Sequence, residues 1–128
     1  MVALNKEALA VYLLDDDPSF VKATRRLLDS AGWDVEAFTD PIAFLRDAAI
    51  HRPGVAVIDI RMPRMNGLEV QARLRTVSPL TQVIVLTSQD DPLVRTIAMN
   101  AGASAFFIKG VENEKFLARI KATADPRK

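Results

Sequence analysis

Gly54-Val55-Ala56-Val57-Ile58-Asp59-Ile60-Arg61-Met62-Pro63-Arg64-Met65-Asn66-Gly67 is the stretch whose reading decides the fold. Val55 to Ile58 is a short apolar run, the pattern of a strand buried on both faces. It ends at one carboxylate, Asp59, where the chain must leave the sheet. Pro63 and the Asn66-Gly67 pair then supply turn chemistry, and a helical pattern follows. Open α/β sheets do their chemistry beyond the C-terminal ends of their strands, so an acid delivered there is a candidate functional group. The plainer alternative is an Asp59 that merely caps the next helix.

Upstream, residues 1–7 carry no strong pattern and read as a tail. Ala8 to Leu14 is a first apolar run, which stops at Asp15, Asp16 and Asp17. Asp17 followed by Pro18 is an N-cap with proline at the first helical position. Phe20, Thr24, Leu27, Leu28 and Ala31 then recur at helical spacing up to Gly32. Trp33 to Phe38 alternates as a second strand. Asp40-Pro41 repeats the cap, with Ile42, Leu45 and Ala49 marking a short helix, and His51 to Gly54 reads as a connecting loop. His51 is expected to be solvated there.

Downstream, a third helix starts near Gly67 with Val70, Leu74 and Val77 expected to face inward. Gln82 to Leu86 is a fourth strand ending in Thr87-Ser88-Gln89. Asp91-Pro92 opens a fourth helix with Leu93, Ile97 and Ala101 spaced by four, broken by Gly102. Ala105 to Ile108 is a short fifth strand ending at Lys109. Phe116, Leu117 and Ile120 mark a last helix, and residues 125–128 read as a C-terminal tail or the start of a linker. Five strands alternating with five helices on short connections require parallel pairing and right-handed crossovers. The expected fold is a doubly wound α/β sheet in flavodoxin-like order 2-1-3-4-5, with helices on both faces.

Composition narrows the chemistry. The 128 residues have no cysteine and one histidine, so thiolate and multi-histidine metal sites are excluded. Seventeen Lys+Arg against 16 Asp+Glu leave a net charge of +1, too balanced to imply nucleic-acid binding by bulk charge. Arg25-Arg26 and Arg73-x-Arg75 read as polar helix faces, so no direct nucleic-acid contact is expected. No apolar run reaches membrane-spanning length and no secretory signal is evident, which makes a soluble, cytoplasmic protein the expectation.

In a parallel sheet all strand C-termini share one edge, which collects Asp15, Asp16, Asp59, Thr87 and Lys109. Clustered carboxylates resist joint ionisation without a counter-charge. An all-oxygen set points to a hard divalent cation, Mg²⁺ fitting best. A cation, a hydroxyl, an ammonium and one central carboxylate make a phosphoryl site with Asp59 as nucleophile.

These residues resemble the receiver domain of two-component response regulators over about residues 8–124. The motifs are Leu14-Asp15-Asp16-Asp17, Ile58 through Gly67, Leu86-Thr87-Ser88 and Phe106-Phe107-Ile108-Lys109. The resemblance implies that Asp59 accepts a phosphoryl group from a phosphohistidine on a sensor histidine kinase. It implies direct Mg²⁺ ligation by Asp16, Asp59 and the main-chain carbonyl of Arg61, with Asp15 acting through water. Thr87 and Lys109 would contact the phosphoryl group. Phe106 matches the family's aromatic switch position, by which the surface of the fourth helix, fifth strand and fifth helix is expected to shift; the alternative is a plain core or surface aromatic. Gly110 stands where the family usually has proline, so no cis bond and a looser loop are expected. Arg61 and Gln89 occupy positions that tune hydrolysis in the family, and Arg61 is long enough to cover the site, which suggests a long-lived phosphoryl state. A homodimer through the last two helices is left open, and the downstream output domain or target is not indicated. Two rivals stand: a haloacid-dehalogenase-like phosphatase using Asp15, and a receiver-like interaction module that is never phosphorylated.

Overall fold

The computed structural model describes residues 10–50 and 53–125. The expected tail, Ala8, Leu9, His51, Arg52 and residues 126–128 lie outside the described residues. The elements run β1 (Ala10–Leu14), α1 (Pro18–Ser30), β2 (Asp34–Phe38), α2 (Pro41–Ile50), β3 (Gly54–Ile58), α3 (Gly67–Val77), β4 (Gln82–Thr87), α4 (Pro92–Asn100), β5 (Ala105–Ile108) and α5 (Asn113–Ala124). All strand pairs are parallel, and the sheet order is β2-β1-β3-β4-β5, as expected.

Two apolar clusters flank the sheet, and the strand period of two sorts residues between them. Tyr12 and Leu14, Ala56 and Ile58, Val83 and Val85 join Phe44, Val70, Leu74 and Ala98 of α2, α3 and α4. Val11 and Leu13, Val55 and Val57, Ile84 and Leu86 join Val21 and Leu28 of α1 and Phe116 and Ile120 of α5. β1 and β3 are fully buried, which is why their sequences read as unbroken apolar runs.

The helix starts follow their caps. Asp17 accepts hydrogen bonds from the amides of Ser19 and Phe20, Asp40 from those of Ile42 and Ala43, and Asp91 from those of Leu93 and Val94. α3 starts differently, with a reciprocal capping box between Asn66 and Glu69. Asp59 is therefore not a helix cap.

One expected inward residue lies outside, and the structure settles two helix faces that the spacing left open. Val77, read as inward, is 37% exposed because it lies in the last turn of α3, and Leu74 makes the final inward contact. Ile42 is 38% exposed, and Phe44 and Ala48 carry the burial of α2. On α4, Leu93 and Ile97 are 68% and 44% exposed, while Val94 and Ala98 pack on the sheet. Arg25 pairs with Asp29 along α1, and Arg26, Arg73 and Arg75 are exposed, consistent with polar faces.

Candidate functional site

Strand phase carries the site-forming side chains to one place. Asp15 continues the alternation of Val11 and Leu13, Asp59 that of Val55 and Val57, and Lys109 that of Ala105 and Phe107. Residues 94 positions apart in the chain thus emerge in the same phase at one sheet edge. Backbone bonds extend the ladder beyond the strands: Asp59 N donates to Leu14 O at 2.9 Å and Lys109 N to Thr87 O at 2.7 Å. Gly67 closes the β3–α3 connection, its amide donating to Ile60 O at 2.7 Å. A Cβ at this glycine would fall 2.3 Å from the Asp59 carbonyl oxygen, so the close approach requires glycine.

Carboxylate oxygens of Asp15, Asp16 and Asp59 lie within 4.8 Å of one another. Asp15 and Asp59 are buried and Asp16 is exposed at the mouth. Lys109 Nζ lies 2.8 Å from Asp15 Oδ2 and 3.9 Å from Asp59 Oδ2. Asp15 Oδ1 accepts from Asp17 N at 3.0 Å, and Asp59 Oδ1 from Ile60 N at 2.9 Å. The buried Thr87 hydroxyl adjoins Asp59 and favours its charged form. Burial, followed by the Asp15 charge, raises the Asp59 carboxyl from 3.8 to about 6, against the opposing pull of Lys109, the Ile60 amide and the Thr87 hydroxyl.

The sequence reading brought Asp15, Asp16, Asp59, Thr87 and Lys109 to one edge, and the structure assembles all five. Phe106 is buried in the cluster beneath α4, with the Arg95 guanidinium 4.6 Å from its ring centroid. Arg61 is exposed and, with Asp16, Met62, Leu68 and Val94, lines a cleft of about 580 Å³ beside the acids. Gln89 is exposed in the β4–α4 connection. Gly110 has φ +101°, and no cis peptide bond occurs among the described residues. One neighbour escaped the sequence reading: the ring of Phe20, whose centroid lies 4.2 Å from Lys109 Nζ. Its only signal was its place in the first turn of α1, three residues after the last of the triple acid.

The donor set fits a hard cation. Asp15 Oδ2 is buried, and the Lys109 ammonium 2.8 Å away is the positive charge that faces it. Three carboxylates that converge within 4.8 Å, with one ammonium among them, leave negative charge uncompensated and match the all-oxygen preference of Mg²⁺.

The fold and this edge define a class, the parallel doubly wound domain with an acid trio and a lysine at its strand ends. Response regulator receiver domains match residues 11–121, and the chain belongs to that family. Receiver domains are signalling domains of two-component systems. Response regulator protein TodT of Pseudomonas putida is 34% identical over 119 residues, covering 93% of this chain and 52% of TodT. Response regulator MprA of Mycobacterium leprae is 35% identical over 114 residues, covering 89% of this chain and 50% of MprA. The chain thus spans about half the length of these curated relatives. A CheY-like receiver domain from Methanospirillum hungatei superposes with a TM-score of 0.86 at 26% identity, covering 91% of this chain and 94% of that one. The family assignment displaces the phosphatase reading, and among the described residues no strand follows Lys109 to carry that class's further acids.

Proposed function

We propose that this chain is a phosphorylatable receiver in which Asp59 takes a phosphoryl group from a phosphohistidine of a sensor histidine kinase. The observation that carries this reading is the meeting of three carboxylates with Lys109, 2.8 Å from Asp15 and 3.9 Å from Asp59. An Asp59 carboxylate oxygen attacks phosphorus, and the P–N bond breaks with its electron pair going to the partner's imidazole nitrogen. With its pKa near 6, Asp59 is mostly ionised at pH 7 and available for that attack. Asp16, Asp59 and the Arg61 carbonyl would hold Mg²⁺ directly, with Asp15 through water, and the ion would supply positive charge against the carboxylates and the phosphoryl oxygens. Lys109 shifts its ammonium from Asp15 towards the new oxygens, and the Thr87 hydroxyl turns from Asp59 to donate to one of them.

That turn carries the switch. Thr87 moves towards the phosphoryl group, and Phe106, already buried under Arg95, repacks into the space left behind. The surface of α4, β5 and α5 then changes population. Arg61 at the mouth of the cleft and Gln89 on the neighbouring loop control the approach of water, which favours a long-lived phosphoryl state. The output belongs to a further domain or a separate target, in a soluble, cytoplasmic setting; among the described residues no helix is long and apolar enough to cross a membrane.

Incubation with acetyl phosphate and Mg²⁺, read by intact mass, tests this proposal. One phosphoryl mass is expected on the wild type only with metal present, and none on Asp59→Asn. Equal labelling of the two proteins would place the acceptor elsewhere than Asp59, and no labelling of either would leave the non-phosphorylated interaction module as the reading.

A further inference from the structure

Lys109 is held by three elements at once. Asp15 follows β1, Asp59 follows β3, and Phe20 presents its ring from the first turn of α1 with its centroid 4.2 Å from the ammonium. A cation over an aromatic face is attracted by the ring quadrupole. The ring differs from another carboxylate in two ways that matter here. It adds no negative charge to a cluster that already holds three acids. It also takes no directed hydrogen bond that Lys109 would have to break when a phosphoryl group arrives.

The placement of Phe20 is tied to the acid loop. Asp17 N donates to Asp15 Oδ1 at 3.0 Å, and Asp17 Oδ1 accepts from Phe20 N at 3.3 Å. The turn that delivers Asp15 therefore also sets the backbone from which the ring projects. Lys109 is only 21% exposed along its side chain, so its alternatives to these three contacts are few.

We propose that Phe20 is a positioning residue for Lys109. Its ring face holds the ammonium beside the Asp15–Asp59 pair before the phosphoryl group arrives, so the site requires an aromatic side chain at position 20. The kinetic consequence rests on the reading of Asp59 as phosphoacceptor; the contact itself does not.

Two measurements test it on the full chain. In the NMR spectrum, without metal or phosphodonor, the Lys109 ε-methylene protons are expected upfield through the ring current in wild type and Phe20→Tyr, and at ordinary positions in Phe20→Leu. Phosphorylation is then followed with acetyl phosphate, which needs no kinase docking surface. The Asp59 oxygen attacks phosphorus, and acetate leaves with the electron pair of the broken O–P bond. Phe20→Leu is expected to react about 3- to 10-fold more slowly at equal Mg²⁺, the size of one partly desolvated cation–π contact. Phe20→Tyr is expected to stay within about twofold of wild type for the same reason. Thermal unfolding confirms that each variant is folded, and Phe20→Ile serves as a second aliphatic variant if the leucine protein is not.

Equal rates for the aliphatic and tyrosine variants overturn the proposal, as do lysine protons without an upfield shift in the wild type. A wild type that takes no phosphoryl group strikes the Asp59 reading instead, and the spectrum alone then decides the role of Phe20.

Discussion

Asp59 is 5% exposed, and its environment works against its own charge. Burial comes first and the Asp15 carboxylate second in lifting its pKa from 3.8 to about 6. The folded chain thus holds this proton more tightly than the unfolded chain does. Between pH 4 and 6 the folded state carries the extra proton, so stability falls as pH rises through that window, and the penalty is complete above it. A shift of this size corresponds to roughly 2–3 kcal/mol. Asp59→Asn removes the ionisation, so without metal it is expected to exceed wild type by about 1–3 kcal/mol at pH 7.5. The advantage should close towards pH 4. Urea unfolding at both pH values checks this, and a variant no more stable than wild type at pH 7.5 contradicts it.

At the scale of elements, the sheet edge depends on short, tightly defined connections. α1, α2 and α4 each open with Asp-Pro, the aspartate side chain accepting amides of the first turn. The β5–α5 connection turns on Gly110 at φ +101°, where the space is open and only the backbone angle is restrictive. Proline, the family's usual residue at this position, cannot adopt that angle. Gly110→Pro is therefore expected to destabilise this chain by more than about 1 kcal/mol, despite restoring the common residue. A fall in the urea midpoint at unchanged slope is the expected signature; a midpoint equal to or above wild type would show that the loop reorganises freely.

Across the whole molecule, the site closes only because four crossovers bring strands β1, β3, β4 and β5 to one edge. Three acids gathered there leave the folded state short of positive charge, and a hard cation that binds only this arrangement stabilises it by mass action. At about 100 times its dissociation constant, Mg²⁺ is expected to add about 2.7 kcal/mol, seen as a raised Tm. Asp16 is exposed, so Asp16→Ala should change metal-free stability by no more than about 0.5 kcal/mol while removing most of the Mg²⁺ effect. Equal Mg²⁺-induced shifts in the two proteins would remove Asp16 from the metal site.

Local order was legible throughout. The buried strands announced themselves as Val55–Ile58 and Gln82–Leu86, and the Asp-Pro caps and Gly67 marked where helices begin. From parallel topology the meeting of Asp15, Asp16, Asp59, Thr87 and Lys109 followed, because strand ends in such a sheet have only one edge to share. Periodicity is a local property, however, and it does not say which neighbour covers a helix. It therefore misplaced Val77 and left open that α4 buries Val94 and Ala98 while exposing Leu93 and Ile97. The contact between Phe20 and Lys109 lay beyond it altogether, because residues 89 positions apart meet through chain crossovers and not through any pattern along the chain. Sequence determined the order of strands and the identity of the acids; only tertiary packing decided which faces closed and what surrounds the lysine.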